Sequence, residues 1–188
     1  CADAFMFIWM KRQLIGEMVR LIGDQDRGAV VISHAHNQRQ WSPSHGQPLP
    51  PEGYRDLFET LPARVFAEAG LFADVVAGGP LDLSRRDTAD ALDADPALAI
   101  VATRHPGVFK THALDRASGA PGEYRVNPLY AVTPGGDGVR LRLQFPSPDY
   151  EDEFGACREY LPDEAAIDRA AMAALGGPTL PSSLTDLA

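Results

Sequence analysis

The run Ala29-Val-Val-Ile32 constrains this chain most. Four consecutive apolar residues leave no wet face and suit a short strand buried on both sides. Just before it, apolar residues at 10, 14, 15, 18, 19 and 22 keep helical spacing while Lys11, Arg12, Gln13, Glu17 and Arg20 face elsewhere. An amphipathic helix therefore ends at the Gly23–Gly28 turn and hands over to a buried strand.

The alternation continues. Pro50–Phe58 suits a short helix. A second helix is expected with Thr60 as cap, Pro62 in its first turn, Val65, Phe66 and Ala69 as its stripe, and Gly70 closing it. Val75-Val-Ala77 and Leu98–Ala102 read as two further strands, separated by a helical turn over Asp87–Asp93 that Asp95-Pro96 ends. Helices alternating with buried strands predict an α/β layer structure over residues 1–105.

Residues 106–177 change character and predict an α+β extension. Val139, Leu141, Leu143 and Phe145 alternate with Arg140, Arg142 and Gln144, and Tyr124–Val132 supplies a hairpin partner across Pro134–Gly138. Helices are expected over Asp149–Leu161, whose acidic start favours the helix dipole, and over Asp163–Leu175, closed by Gly176-Gly177. Residues 178–188 read as a loose tail.

Composition narrows the function. The net charge is −9, and the 17 Lys and Arg residues are scattered without a block, so a phosphate-backbone footprint is missing and nucleic acid is not an expected partner. Two cysteines make neither a disulfide framework nor a zinc set, which fits a reducing compartment, with the cytoplasm as the default. Phe5–Met10 is too short to span a membrane, and it lacks the marks of a signal peptide.

The order of pieces resembles the C-terminal half of a class I S-adenosylmethionine-dependent methyltransferase. Cys1-Ala-Asp-Ala-Phe5 is similar to the end of that family's fourth strand, and Lys11–Ile22 with Arg27–Ile32 to the following helix and fifth strand. Val65-Phe-Ala-Glu-Ala-Gly-Leu71 matches a later helix, and Asp74-Val-Val76 and Ala99–Ala102 match antiparallel sixth and seventh strands. The resemblance implies a partial Rossmann-like sheet made of the later strands. The family's glycine-rich cofactor loop and ribose-binding acid would lie upstream of residue 1, so a missing N-terminal half, or a homo-oligomeric partner, is expected. The fragment alone is expected to be inactive.

The same resemblance implies that Ala2, Asp3, Ala4 and Phe5 line S-adenosylmethionine, whose sulfonium charge suits acidic and aromatic neighbours. Phe7 and Ile8 are expected in the core. His34, His36 and Asn37 follow the buried strand, where open α/β sheets bind ligands. His34 and His36 are the candidate catalytic residues, since methyl transfer needs positioning and, for some acceptors, a base. Asn37, Trp41, His45 and Tyr54, in and beside a Pro, Gly and Ser-rich loop, are candidate contacts to a small-molecule acceptor.

Two rival readings stand beside methyl transfer. His34-x-His36 puts two imidazoles on one side of an extended chain, and with His45 as third ligand it would suit a metal-dependent hydrolase. The other rival is a non-catalytic interaction module that pairs through an open sheet edge.

Overall fold

The computed structural model describes residues 1–23, 28–114 and 125–175. Its elements are, in chain order, α1 (Lys11–Ile22), β1 (Ala29–His36), α2 (Pro51–Asp56), β2 (Ala63–Ala67), α3 (Glu68–Val76), β3 (Leu81–Asp82), α4 (Ala89–Ala94) and β4 (Ala97–Thr103). There follow β5 (Thr111–His112), β6 (Tyr130–Gly135), β7 (Gly138–Leu143), α5 (Pro148–Phe154), β8 (Glu164–Asp168) and α6 (Arg169–Leu175). The protein is mixed α/β with antiparallel sheets. Its contacts divide it into two compact units, Cys1–Leu71 with Asp82–His112, and Phe72–Leu81 with the described part of Ala113–Ala188.

The first unit is built on a sheet in the order β1-β4-β2, with β4 antiparallel to both neighbours. All seven residues of β4 are buried, so the strand covered on both faces is this one. In β1, by contrast, Val31 is half exposed between buried Val30 and Ile32. Beyond β1 the sheet continues by a parallel bridge from Ala2 to Ser33. The Asp3 amide donates to the Ser33 carbonyl, and the Ser33 amide to the Cys1 carbonyl. The residues before α1 thus begin as the stub of a strand lying parallel to β1.

Helix α1 packs Leu14, Ile15, Met18, Val19 and Ile22 into the core cluster that includes Val30 and Ile32 of β1, as its apolar spacing requires. Phe5, Met6 and Tyr54 are fully buried, with the Phe5 and Tyr54 rings 6.1 Å apart. Helices α2 and α4 lie where the sequence places them. Thr88 caps α4 by accepting from the Ala91 amide.

Three expected elements differ. Val65, Phe66 and Ala67 form strand β2 and not a helix, because they pair along β4, Val65 with Ile100 and Phe66 with Ala99. The helix then starts at Glu68, so Asp74-Val-Val76 is the end of α3 and not a strand. Glu164–Asp168, expected in a helix, instead adds β8 to the sheet of the second unit, where Ile167 pairs with Val139 and is buried. In each case completing a sheet outweighs local helix propensity, which amounts to only tenths of a kcal/mol per residue.

The second unit carries the expected hairpin in a sheet ordered β6-β7-β8. Its loop is Gly136-Asp137, with Gly136 at φ +54°, and Pro134 sits in the edge strand, where no ladder donor is lost. Leu141, Leu143, Cys157, Leu161 and Ile167 form its core. Ser147 caps α5 by accepting from the Tyr150 amide. Residues 24–27, the turn at 118–122, Tyr124, the closing glycines at 176–177 and the tail from 178 lie outside the described residues. Among the described residues no helix is long and apolar enough to cross a membrane.

The segment after β1 is tied at both ends. Asn37 bridges Leu49 in parallel, and the Gln47 amide donates to the Met6 carbonyl at 2.9 Å. Between these ties Gly46 takes φ +64°, and a Cβ there would lie 2.9 Å from the Phe7 ring and 3.1 Å from the Met6 carbonyl oxygen. Only glycine satisfies both the conformation and the space. Gly46→Ala is expected to destabilise this unit by about 1–3 kcal/mol. Both tryptophans, Trp9 and Trp41, lie in this unit, so a lower urea midpoint followed by their fluorescence is the check.

Candidate functional site

The histidines are part of β1 itself and do not sit in the loop beyond it. Ile32 pairs with Ile100 and Ala35 with Leu98, so Ser33 and His34 together oppose the single residue Ala99. This is a β-bulge, a device that re-aims side chains beside sites. His34 takes φ +52° at the bulge, a conformation that costs a non-glycine residue about 1–3 kcal/mol.

What holds it there is Glu68, the first residue of α3. Ala35 and Ala67 are both register partners of Leu98, so His34, just before Ala35, and Glu68, just after Ala67, come from the flanking strands close to the same point of β4. The His34 amide donates to Glu68 Oε1 at 2.8 Å, and His34 Nδ1–H donates to Oε2 at 2.7 Å. Hydrogen bonds to a charged group contribute about 1.5–3 kcal/mol each, so the pair offsets the backbone strain. The Glu68 side chain is only 6% exposed, and its helix start is secured by buried Asp95, which accepts from the Ala69 amide.

His36 is also buried. Its Nδ1 faces Ser42 Oγ at 3.4 Å, and its ring lies 5.8 Å from that of His34 and 6.2 Å from that of Phe7, both edge-on. Asp3 comes from the neighbouring strand stub, itself at φ +48°. One carboxylate oxygen of Asp3 and one ring nitrogen from each of His34 and His36 lie within 4.8 Å of one another. His45 is not a member of this group. The third donor beside the two histidines is Asp3, brought in by sheet pairing.

The other expected contacts separate. Ala2 and Ala4 are exposed, but Phe5 is fully buried in the core, so its ring is not a cofactor surface. Asn37, expected to touch an acceptor, is only 1% exposed. Its Nδ2 donates to the carbonyls of Leu92, Asp93 and Asp95, and its Oδ1 accepts from the Arg39 amide. Those bonds use both Nδ2 hydrogens and one site on Oδ1, and Asn37 is a clamp between β1 and the end of α4. Tyr54 is equally internal, its hydroxyl donating to the His36 carbonyl at 2.8 Å. Trp41 and His45 are exposed.

Glu68 was not visible as a site residue in the sequence. The one signal was a lone acid inside the apolar run Val65-Phe-Ala-Glu-Ala-Gly-Leu71, where burial is expected and an unpaired carboxylate would be costly. No family model matches the chain, and no curated protein and no solved structure matches it.

Burial pushes the Tyr54 hydroxyl up to about 12, the backbone contact acting weakly the other way. The folded pKa is raised, so the associated stability is present below the unfolded value near 10 and is lost as pH rises from about 10 to 12. Stability of the first unit is expected to fall by up to about 2–3 kcal/mol across that window. Tyr54→Phe should flatten the fall while lowering stability at neutral pH by about 1 kcal/mol, with urea titrations at several pH values as the measurement.

Proposed function

We propose that this chain carries the later-strand half of a class I methyltransferase, transferring a methyl group from S-adenosylmethionine to a small-molecule acceptor. The observation that carries this reading is the sheet. The stub at Ala2 runs parallel to β1, and β4 is inserted antiparallel between β1 and β2, so Asp3 and His34 end side by side at the carboxyl ends of adjacent parallel strands. Ligands of open α/β sheets bind in the crevice beyond such ends. This likeness rests on fold, and the site must carry the function.

The residues fit the cofactor in part. Ala2 and Ala4 are exposed on either side of Asp3, and half-exposed Phe7 lies nearby through its ring's edge contact with His36, an acidic and aromatic setting suited to a sulfonium. S-adenosylmethionine would supply an electrophilic methyl group, with the thioether as leaving group. The protein's part is to bring the acceptor atom into line behind that methyl group and to favour loss of its proton where it has one. His34, fixed in place by Glu68, and His36 form the surface that does so. The even scatter of basic residues favours a small acceptor over a nucleic acid.

Metal-dependent hydrolysis is the second reading, favoured by the Asp3, His34 and His36 donor group. The two separate on cofactor binding. The natural gene product is expected to bind S-adenosylhomocysteine in calorimetry, and an absence of binding by folded protein defeats the methyl-transfer reading. With an acceptor identified, His34→Ala should lower kcat by about 10²–10⁴-fold while leaving S-adenosylhomocysteine affinity within a few-fold.

A further inference from the structure

We propose that Asp3, His34 and His36 bind one divalent first-row transition-metal ion, through the Asp3 carboxylate and the Nε2 atoms of both histidines. The binding claim stands on the donor group alone and does not rest on the methyl-transfer reading.

The geometry is that of a site needing small closure. One carboxylate oxygen of Asp3 and one ring nitrogen of each histidine already lie within 4.8 Å of one another. Ligands about 2.0–2.2 Å from an ion sit roughly 3–3.5 Å apart, so side-chain rotations of about an ångström complete the set. His34 and His36 are two apart on one strand with their rings 5.8 Å apart, while Asp3 enters from the adjacent strand.

The ring orientation is set from behind. Ligating histidines characteristically give their other nitrogen to a carboxylate or another polar partner, which fixes the tautomer and raises basicity. Here buried Glu68 takes the Nδ1 proton of His34 at 2.7 Å, and Ser42 Oγ stands 3.4 Å from Nδ1 of His36. That leaves Nε2 as the ligating atom on each ring, and both Nε2 atoms are buried. Two imidazoles with one carboxylate suit manganese, iron, cobalt or zinc and disfavour magnesium and calcium, which prefer all-oxygen sets. Three protein ligands leave coordination positions open. In the methyltransferase reading, such an opening would take the acceptor's oxygen, favouring substrates with a hydroxyl able to ligate a metal.

The test uses the whole chain, stripped with chelator and titrated with Mn²⁺, Co²⁺ or Zn²⁺ alone by calorimetry, with visible absorption of the cobalt form as a second readout. One ion per chain at micromolar affinity or tighter is expected for at least one metal. Glu68→Gln should weaken binding about 10–100-fold, and His36→Ala and Asp3→Asn at least as much. Exposed His45→Ala should bind as wild type. Because His36 is buried and its loss could unfold the chain, Asp3→Asn at an exposed position keeps the test valid, with circular dichroism confirming the fold. No saturable binding of any of the three ions by folded protein overturns the proposal, as does binding unchanged in Asp3→Asn or lost in His45→Ala. Metal binding here without S-adenosylhomocysteine binding by the natural gene product would sink methyl transfer and leave the metal site standing, and the reverse result would do the opposite.

Discussion

The carboxylate of Glu68 is the interaction on which the corner depends. It accepts from the amide and from the ring of one residue, His34, and so fixes a backbone conformation and a side-chain orientation together. A buried carboxylate with nothing to accept from would be expelled or protonated. A His34 without that acceptor would lose the bonds that keep it at φ +52°. Each residue is tolerable only because of the other. The bulge places His34 opposite Ala99 of β4, and the neighbouring Leu98 pairs with both outer strands, from whose ends His34 and Glu68 come.

Around this pair the scaffold is rigid where the sequence looked functional. Asn37 and Tyr54 are polar residues beside two histidines, and both are spent on holding the strand end: one on the carbonyls at the end of α4, the other on the His36 carbonyl. A fully buried amide or hydroxyl whose donor hydrogens are bonded inside the protein contributes specificity to the fold and is out of a ligand's reach. Such residues support the corner from behind. The loop that follows is closed onto the Phe5–Phe7 turn through Gln47 and Gly46, which leaves Trp41 and His45 on the outside of that closure.

The sequence was legible where periodicity and punctuation agreed. Helix α1, the strand at Ala29, β4, the helical turn before Asp95-Pro96 and the hairpin all follow from spacing and turn chemistry alone. It misled where a strand abuts a helix with no turn residue between them. Across Ala63–Val76 the apolar residues 65, 66 and 69 fit helical spacing, and nothing in the local pattern reveals that 63–67 pair with β4. That shift of the helix start to Glu68 also concealed the acid as a helix-surface residue. Its partner is 34 positions away, and a contact at that separation is set by topology, which spacing cannot report. The same reason explains why Asp3 and not His45 joins the histidines: proximity along the chain favoured His45, and proximity in the sheet favours Asp3.

Strain supplies an independent pointer to the same place. Among the described residues, the non-glycine residues at positive φ are Asp3 and His34, and both belong to the three-residue donor group. They lie on different strands and share no turn motif, so a common local cause does not account for them. Proteins concentrate such departures from local preference where a side chain must be aimed at something, and the surrounding structure supplies the compensation. For His34 that compensation is Glu68. For Asp3 it is the hydrogen bond from its own amide to the Ser33 carbonyl, one of the two that hold the stub on β1 around Ala2. A chain that merely closed its sheet could do so with both residues relaxed, and the convergence of two strained, ligand-capable side chains on a third is what marks the end of β1 as a site.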